Sequence, residues 1–329
     1  IWVFFGGIDV VSHGLFAALS VLVVACPCVV GLATPVALAA GLNKAARNHI
    51  LIRDTSALEQ MRNVDVVVFD KTGTLTEGHP TVIGWLWAQG QEEHYKDVLL
   101  AAESTSDHPL AEAIVTALEG EEQVIPAHLD GFENITGKGV RVAYQGAEYW
   151  VGSHKLLKDY QANLSDILAD MLTQYESDGN SIVYFGREND LLAVIAIKDQ
   201  LRVTSMEAIR ELRTQDIEIC MLTGDGERTA SSVAGSLGVM RFVADAMPDD
   251  KEDFIHKLQL QGKTVAMVGD GVNDARALSC ADVSIAMGKG TDTLMDTAMI
   301  TLRTSDLLLL PKVFRLSRQI CSGLSSIIQ

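Results

Sequence analysis

Four short apolar runs in this chain each stop at a small or acidic cluster. They are Val66 to Phe69 before Asp70, Ile217 to Leu222 before Thr223-Gly224-Asp225, Thr264 to Val268 before Gly269-Asp270-Gly271, and Val283 to Met287 before Gly288. Val/Ile-rich runs that do not alternate with polar residues belong to strands covered on both faces, and the helical patterns between them predict a parallel α/β sheet. In such sheets ligands bind beyond the carboxyl ends of the strands, so Asp70, Asp225 and Asp270 are expected along one edge. The stretch 81–196, between the first two runs, is far too long for a crossover helix. Within it, Val140 to Tyr144 and Tyr149 to Val151 flank a Gln145-Gly146 turn, and Ile182 to Phe185 and Leu191 to Ile197 flank a second polar turn. These read as hairpins, which makes the stretch an inserted α+β domain with an antiparallel sheet.

Charge is unevenly distributed. Against 26 Lys plus Arg stand 43 Asp plus Glu, a formal charge of −17 that argues against a nucleic-acid binder. The cysteines number five and are scattered, so no disulfide framework is implied. Between Asp9 and Lys44 no Asp, Glu, Lys or Arg occurs. At about 1.5 Å per residue, Leu15 to Ala40 covers the roughly 30 Å hydrocarbon core of a bilayer, so a transmembrane helix is expected over 15–41. The basic leader of a secretory signal is missing. Lys44, Arg47 and Arg53 follow the span, and the positive-inside tendency puts the remainder on the cytoplasmic side. Residues 1–7 read as the end of an earlier membrane helix and 307–329 as the start of a later one, so the chain reads as a fragment.

The densest chemistry lies in Asp70-Lys71-Thr72-Gly73-Thr74-Leu75-Thr76. A carboxylate at a strand end, followed by a Gly-containing turn with hydroxyls, is suited to attack phosphorus and form an aspartyl phosphate. The incoming group is anionic. A divalent cation between Asp70 and a second carboxylate such as Asp270 would offset the repulsion, and Mg²⁺ prefers such oxygen ligands. Thr223 and Gly224 offer hydroxyl and amide donors to phosphoryl oxygens, and Lys251 a point charge. Singly, an Asp after a strand is more often a cap and a Gly-Asp-Gly more often a loop; three acidic strand ends together are harder to dismiss.

In order along the chain, Asp70 to Thr76, Thr223-Gly224-Asp225 and Gly269-Asp270-Gly271-Val272-Asn273-Asp274 resemble the signature motifs of P-type cation-transporting ATPases. With Cys26-Pro27-Cys28, the resemblance is to the heavy-metal (type IB) branch. It implies a haloacid-dehalogenase-like phosphorylation domain over 42–80 and 197–304, and a nucleotide-binding domain over 81–196. It further implies Asp70 as the phosphorylated residue, Thr72 offering its carbonyl to Mg²⁺, Asp270 and Asp274 on the metal side, and Lys251 steadying the phosphoryl group, with Thr223 and Asp225 also among the catalytic residues. Ala275-Arg276 stands where the family usually has Ala-Pro. A soluble phosphatase of the same superfamily is the alternative from another class. Such enzymes usually carry a second Asp two residues after the nucleophile; here that position is Thr72, and without this acid/base the acyl phosphate would survive longer, as suits a pump. A third reading is a non-catalytic truncation that only binds partners.

Glu103-Ser104-Thr105-Ser106-Asp107-His108-Pro109-Leu110 precedes a helical run in the insert, and Pro109 suits the first helical position, with His108 as N-cap. That segment alone favours a simple cap. The resemblance instead assigns Glu103 and His108 to the adenine end of ATP, with Gly137 and Gly139 letting backbone approach the nucleotide. Gly152-Ser153 replaces the family's Gly-Asn, leaving Ser153 as a hydrogen-bonding candidate. In the membrane segment, Cys26 and Cys28 would point apart on an intact helix, and Pro27 distorts the turn at a cost of about 3 kcal/mol, letting both sulfurs face one cavity. Two buried thiols beside a kink would be the bland account. The resemblance makes them a transport site, and thiolates select Cu⁺ or Zn²⁺-like ions. Gly31-Leu32-Ala33-Thr34-Pro35 resembles copper exporters more than zinc or cadmium ones. The implied activity is therefore ATP-driven, Mg²⁺-dependent transport of Cu⁺, with Zn²⁺/Cd²⁺ as the alternative cargo. The implied setting is a multi-pass protein of the cell membrane, to which a metallochaperone could deliver the ion. The family's actuator domain is missing, so the fragment is not expected to pump alone.

Overall fold

The computed structural model describes residues 15–16, 18–20, 28–88, 92–106, 108–121, 123–163, 166–270, 274–288 and 297–328. The stub 1–7, Cys26 and residues 271–273 lie outside them, as does part of the expected span 15–41. Cys28 is described only as the first residue of a helix, Cys28–Arg47. Among the described residues no helix is long and apolar enough to cross a membrane.

In chain order the strands are β1 (Ile50–Ile52), β2 (Val66–Asp70), β3 (Thr81–Trp87), β4 (Gly131–Ile135), β5 (Gly139–Tyr144), β6 (Ala147–Gly152), β7 (Ser181–Arg187), β8 (Asp190–Lys198), β9 (Glu218–Leu222), β10 (Arg241–Val243), β11 (Val265–Gly269), β12 (Val283–Met287) and β13 (Ile300–Leu302). Seven of them form one sheet in the order β1-β13-β12-β11-β2-β9-β10. Its neighbours are parallel except for the antiparallel pair β1 and β13. The continuous apolar runs have a direct structural cause. Val67 and Phe69 of β2 point into one core and Val66 and Val68 into the other, and all four are fully buried. Each such valine stabilises the fold by about 1.5–3 kcal/mol relative to exposure, so Val68→Asp would disrupt the sheet in its interior.

The six strands β3 to β8 make a separate antiparallel sheet in the order β3-β8-β7-β6-β5-β4. Both expected hairpins are present, with Tyr144 opposite Ala147 across the first and Arg187 opposite Asp190 across the second. The helices Glu92–Glu103 and Pro109–Glu119 cover one face, where Leu99, Ile114 and Leu118 meet Val142 and Phe185. Trp150, Leu156, Leu172 and Tyr184 form the core on the other face. Residues of the final helix, Leu309–Ile328, pack against the parallel sheet: Leu310, Val313 and Phe314 are fully buried in the core that also takes Leu58 and Ile285.

The two sheets face each other across a cleft. Thr229 Oγ1 donates to the Asn180 carbonyl at 2.8 Å, Ser232 Oγ to the Ser177 carbonyl at 2.6 Å, and Lys155 Nζ to the Asp245 carbonyl at 2.5 Å. These contacts bring the carboxyl ends of the parallel strands to the floor of the cleft.

Candidate active site

The floor begins with the loop after β2. Thr72 (φ −74°, ψ 130°) and Gly73 (φ 71°, ψ −15°) have the dihedrals of a type II turn, whose third residue needs positive φ and so favours glycine. The loop closes through the Thr76 N–H donating to the Lys71 carbonyl at 3.1 Å and the Gly73 N–H to Thr76 Oγ1 at 2.9 Å. Asp199 and Arg202 hold it from outside. Asp199 accepts from Thr76 Oγ1 at 2.5 Å and from the Gly78 N–H at 3.1 Å. Arg202 Nε donates to the Thr74 carbonyl at 2.9 Å, its Nη2 donates to the Gly73 carbonyl, and Ser205 Oγ donates to the Leu75 carbonyl at 2.7 Å. Loop carbonyls are thereby satisfied inside the protein and Asp70 is fixed at the cleft.

Asp70 is 6% exposed and Lys251 7% exposed, yet both open onto the same cavity. Lys251 comes from the helix Pro248–Leu260, and its Nζ donates to Asp70 Oδ1 at 2.5 Å and to Asp274 Oδ1 at 2.7 Å. Burial opposes the charge on Lys251, but the two carboxylates outweigh it and hold the ammonium above its usual range. Asp70, Asp270 and Asp274 bring carboxylate oxygens within 4.8 Å of one another. Burial first, then the neighbouring charges of Asp70 and Asp274, pushes Asp270 up to about 7. Three carboxylates around the one Lys251 ammonium leave a local excess of negative charge, and their all-oxygen donor set suits a hard cation such as Mg²⁺. On the other side of Asp70, Lys71 pairs with Asp225 and donates to Ser181 Oγ at 3.1 Å. Asp225 is held below the usual carboxylate range. Burial raises it, but the Lys71 charge and hydrogen bonds from Lys71, Ser181 and Thr223 prevail.

The cleft measures about 1680 Å³ and is lined by Asp70, Thr223 and Gly224 together with Glu103 and His108 of the insert. His108 does cap the helix Pro109–Glu119, its Nδ1 accepting from the Leu110 N–H at 3.2 Å. The side chain is exposed on the cleft, and desolvation by the protein around it pushes the imidazole down, with the charges of Asp225 and Asp70 opposing. Glu103, 6% exposed, is pushed up to about 7 by burial. Ser153 Oγ is buried without a hydrogen-bond partner. Gly137 and Gly139 line the cleft too, but Gly139 has a more immediate cause: a Cβ there would fall 2.1 Å from the Val151 carbonyl oxygen, so β5 and β6 could not pair as they do. The structure thus brings Asp70, Thr72, Thr223, Asp225, Lys251, Asp270 and Asp274 of the parallel-sheet unit and Glu103, His108, Gly137, Gly139 and Ser153 of the insert to the lining of one cavity. Sequence reasoning missed Asp199, Arg202 and Ser181. An acidic residue just past a strand with an arginine three positions on was the available signal for the first two.

A family model described as haloacid dehalogenase-like hydrolase matches residues 64–282. The chain belongs to the haloacid dehalogenase-like hydrolases. Within that family it is similar to a copper-exporting P-type ATPase of Legionella pneumophila, 39% identical over 98% of this chain and 44% of the relative. A copper-exporting P-type ATPase of Staphylococcus aureus (strain Newman) is 40% identical over 92% of this chain and 37% of its own length. The chain therefore spans about two fifths of the curated relatives it matches. Among solved structures, a zinc-transporting PIB-type ATPase in its E2.Pi state aligns with TM-score 0.62 and 36% identity, covering 92% of this chain and 49% of that one. The catalytic domain of the CPx-ATPase CopB-B aligns with TM-score 0.69 and 27% identity, over 83% of this chain and 98% of that one.

Proposed function

We propose that this haloacid dehalogenase-like hydrolase is the catalytic part of a heavy-metal P-type ATPase that exports Cu⁺ through an aspartyl phosphate at Asp70. The parallel-sheet unit is the phosphorylation domain and the unit of β3 to β8 the nucleotide domain. What carries the reading is one arrangement: Asp70 at the end of β2, an interior strand of the parallel sheet, bonded to Lys251, in a single cavity with Glu103 and His108. The names of the similar proteins support the cargo.

In this reading ATP lies along the cleft with its base toward Glu103 and His108 and its γ-phosphate toward Asp70. An Asp70 carboxylate oxygen bonds to the γ-phosphorus, the bond to the β,γ-bridging oxygen breaks, and ADP leaves with that electron pair. Thr223 Oγ1 and the Gly224 N–H donate to the phosphoryl oxygens, and Lys251 balances their charge. Asp70, Asp270, Asp274 and the Thr72 carbonyl would hold Mg²⁺, which supplies further charge neutralisation. Thr72 is not a carboxylic acid, so no side chain two positions from the nucleophile activates water and the acyl phosphate persists. Its formation shifts the population toward a conformation with changed access to the Cys26/Cys28 site in the membrane. The whole protein is then a multi-pass protein of the cell membrane, with both catalytic units on the cytoplasmic side.

Radiolabelled ATP with Mg²⁺ tests the chemistry. An acid-stable, hydroxylamine-labile label on the chain is expected, absent from Asp70→Asn. Equal labelling of Asp70→Asn would overturn the assignment.

A further inference from the structure

Away from the cleft, Glu252 and His256 stand one turn apart on the helix Pro248–Leu260, and Cys280 ends the helix Ala275–Cys280 beside them. Cys280 Sγ lies 3.6 Å and His256 Nε2 3.9 Å from the same oxygen, Glu252 Oε1, and the three atoms all lie within 4.8 Å of one another. The glutamate's other oxygen, Oε2, is 2.7 Å from Arg276 Nη2. Gln259 fixes the histidine. Its Nε2 donates to the Cys280 carbonyl at 2.8 Å and to Asp282 Oδ2 at 3.2 Å, which leaves its Oε1 facing His256 Nδ1 at 3.2 Å. Nδ1 then donates, and Nε2 faces the same carboxylate oxygen that accepts from the Cys280 thiol. A single cation, a proton or a metal ion, can be shared at that point by all three groups.

We propose that Glu252, His256 and Cys280 bind a Zn²⁺-class ion. A thiolate, an imidazole and a carboxylate with a fourth position left to water is a zinc donor set; Mg²⁺ and Ca²⁺ take oxygen-only sets. Around tetrahedral zinc the ligand atoms sit roughly 3.5 Å apart, so the observed spacings need only a small contraction. Gln259 supplies the outer hydrogen bond that metal-bound imidazoles use to fix their orientation. With His256 52% and Glu252 24% exposed, the ion enters directly from solvent, and the Cys280 proton leaves to it. A bound ion would tie together the two helices that present Lys251 and Asp274 to the cleft. The site stands independently of any role for Asp70.

The test uses the full chain carrying Cys26→Ala and Cys28→Ala, so that those thiols contribute nothing, with excess Mg²⁺ to occupy the clustered aspartates. Titrated Co²⁺ is expected to give a thiolate-to-cobalt charge-transfer band at one equivalent, bleached by Zn²⁺. Exposed His256→Ala and Cys280→Ser should each remove the band, and Gln259→Ala should weaken binding about 10–100-fold, with unchanged far-UV circular dichroism. No thiolate band, or a band that survives both His256→Ala and Cys280→Ser, would overturn the proposal.

Discussion

Gly73 lies so close to Asp270 that a Cβ on it would fall 1.6 Å from Asp270 Oδ2. The turn after the Asp70 strand and the loop after β11 are thus fitted together through the absence of one methyl group. Gly73→Ala meets two obstacles: a φ of 71° that disfavours an L side chain by about 1–3 kcal/mol, and the Asp270 carboxylate, all of which would have to swing aside. The expected outcome is a lower melting temperature together with loss of phosphorylation, read by thermal melting and acid-quenched labelling. Retention of full labelling would show that the turn does not need this approach.

Asp270 makes stability depend on pH in a definite direction. Its carboxyl moves from 3.8 up to about 7 on folding, so between those values the folded chain holds more protons than the unfolded one and stability falls as pH rises. Asp270→Asn should flatten that fall. A cation competes with the proton, so Mg²⁺ should raise the melting temperature more above pH 7 than below it. Equal Mg²⁺ stabilisation on both sides would mean that the three carboxylates do not bind the ion.

His108 has a structural duty as well as a proposed ligand, and the two are separable. Replacing it by Ala removes the acceptor for the Leu110 N–H, a loss of about 0.5–2 kcal/mol of helix stability. His108→Asn keeps a capping oxygen and removes the imidazole. Calorimetric titration with ATP should show weaker binding for both variants, whereas thermal melting should show destabilisation mainly in His108→Ala. Wild-type affinity in His108→Asn would reduce the residue to a cap.

How much of this was legible beforehand follows from burial. β2, β9, β11 and β12 are covered on both faces, and double burial writes itself into the chain as unbroken Val/Ile runs. β1, β10 and β13 have three residues each, too few to show any period. β4 was equally hidden: it sits at the edge of its sheet and four of its five residues are exposed, so neither alternation nor an apolar run marks it. Asp70, Asp225 and Asp270 were legible because each ends such a run. Ser181 was not, because its tie to Lys71 joins the two sheets and no local pattern encodes a contact between separate units.

Arg202 supports the site from a distance in the sequence, since it acts on backbone carbonyls 128 and 129 positions away. It is buried, and its guanidinium serves the Gly73 and Thr74 carbonyls at once. Arg202→Met would keep much of the bulk while leaving two inward carbonyls without donors, each worth about 1–3 kcal/mol if unsatisfied. The loop would then rearrange and carry Asp70 out of line with the cleft. Because Arg202 is absent from the cavity wall, ATP affinity should stay near wild type while the rate of Asp70 labelling drops by about tenfold or more, as expected when positioning rather than binding is lost. Paired measurements of nucleotide affinity and single-turnover labelling separate the two. A variant that loses affinity and keeps its labelling rate would place Arg202 in nucleotide binding instead.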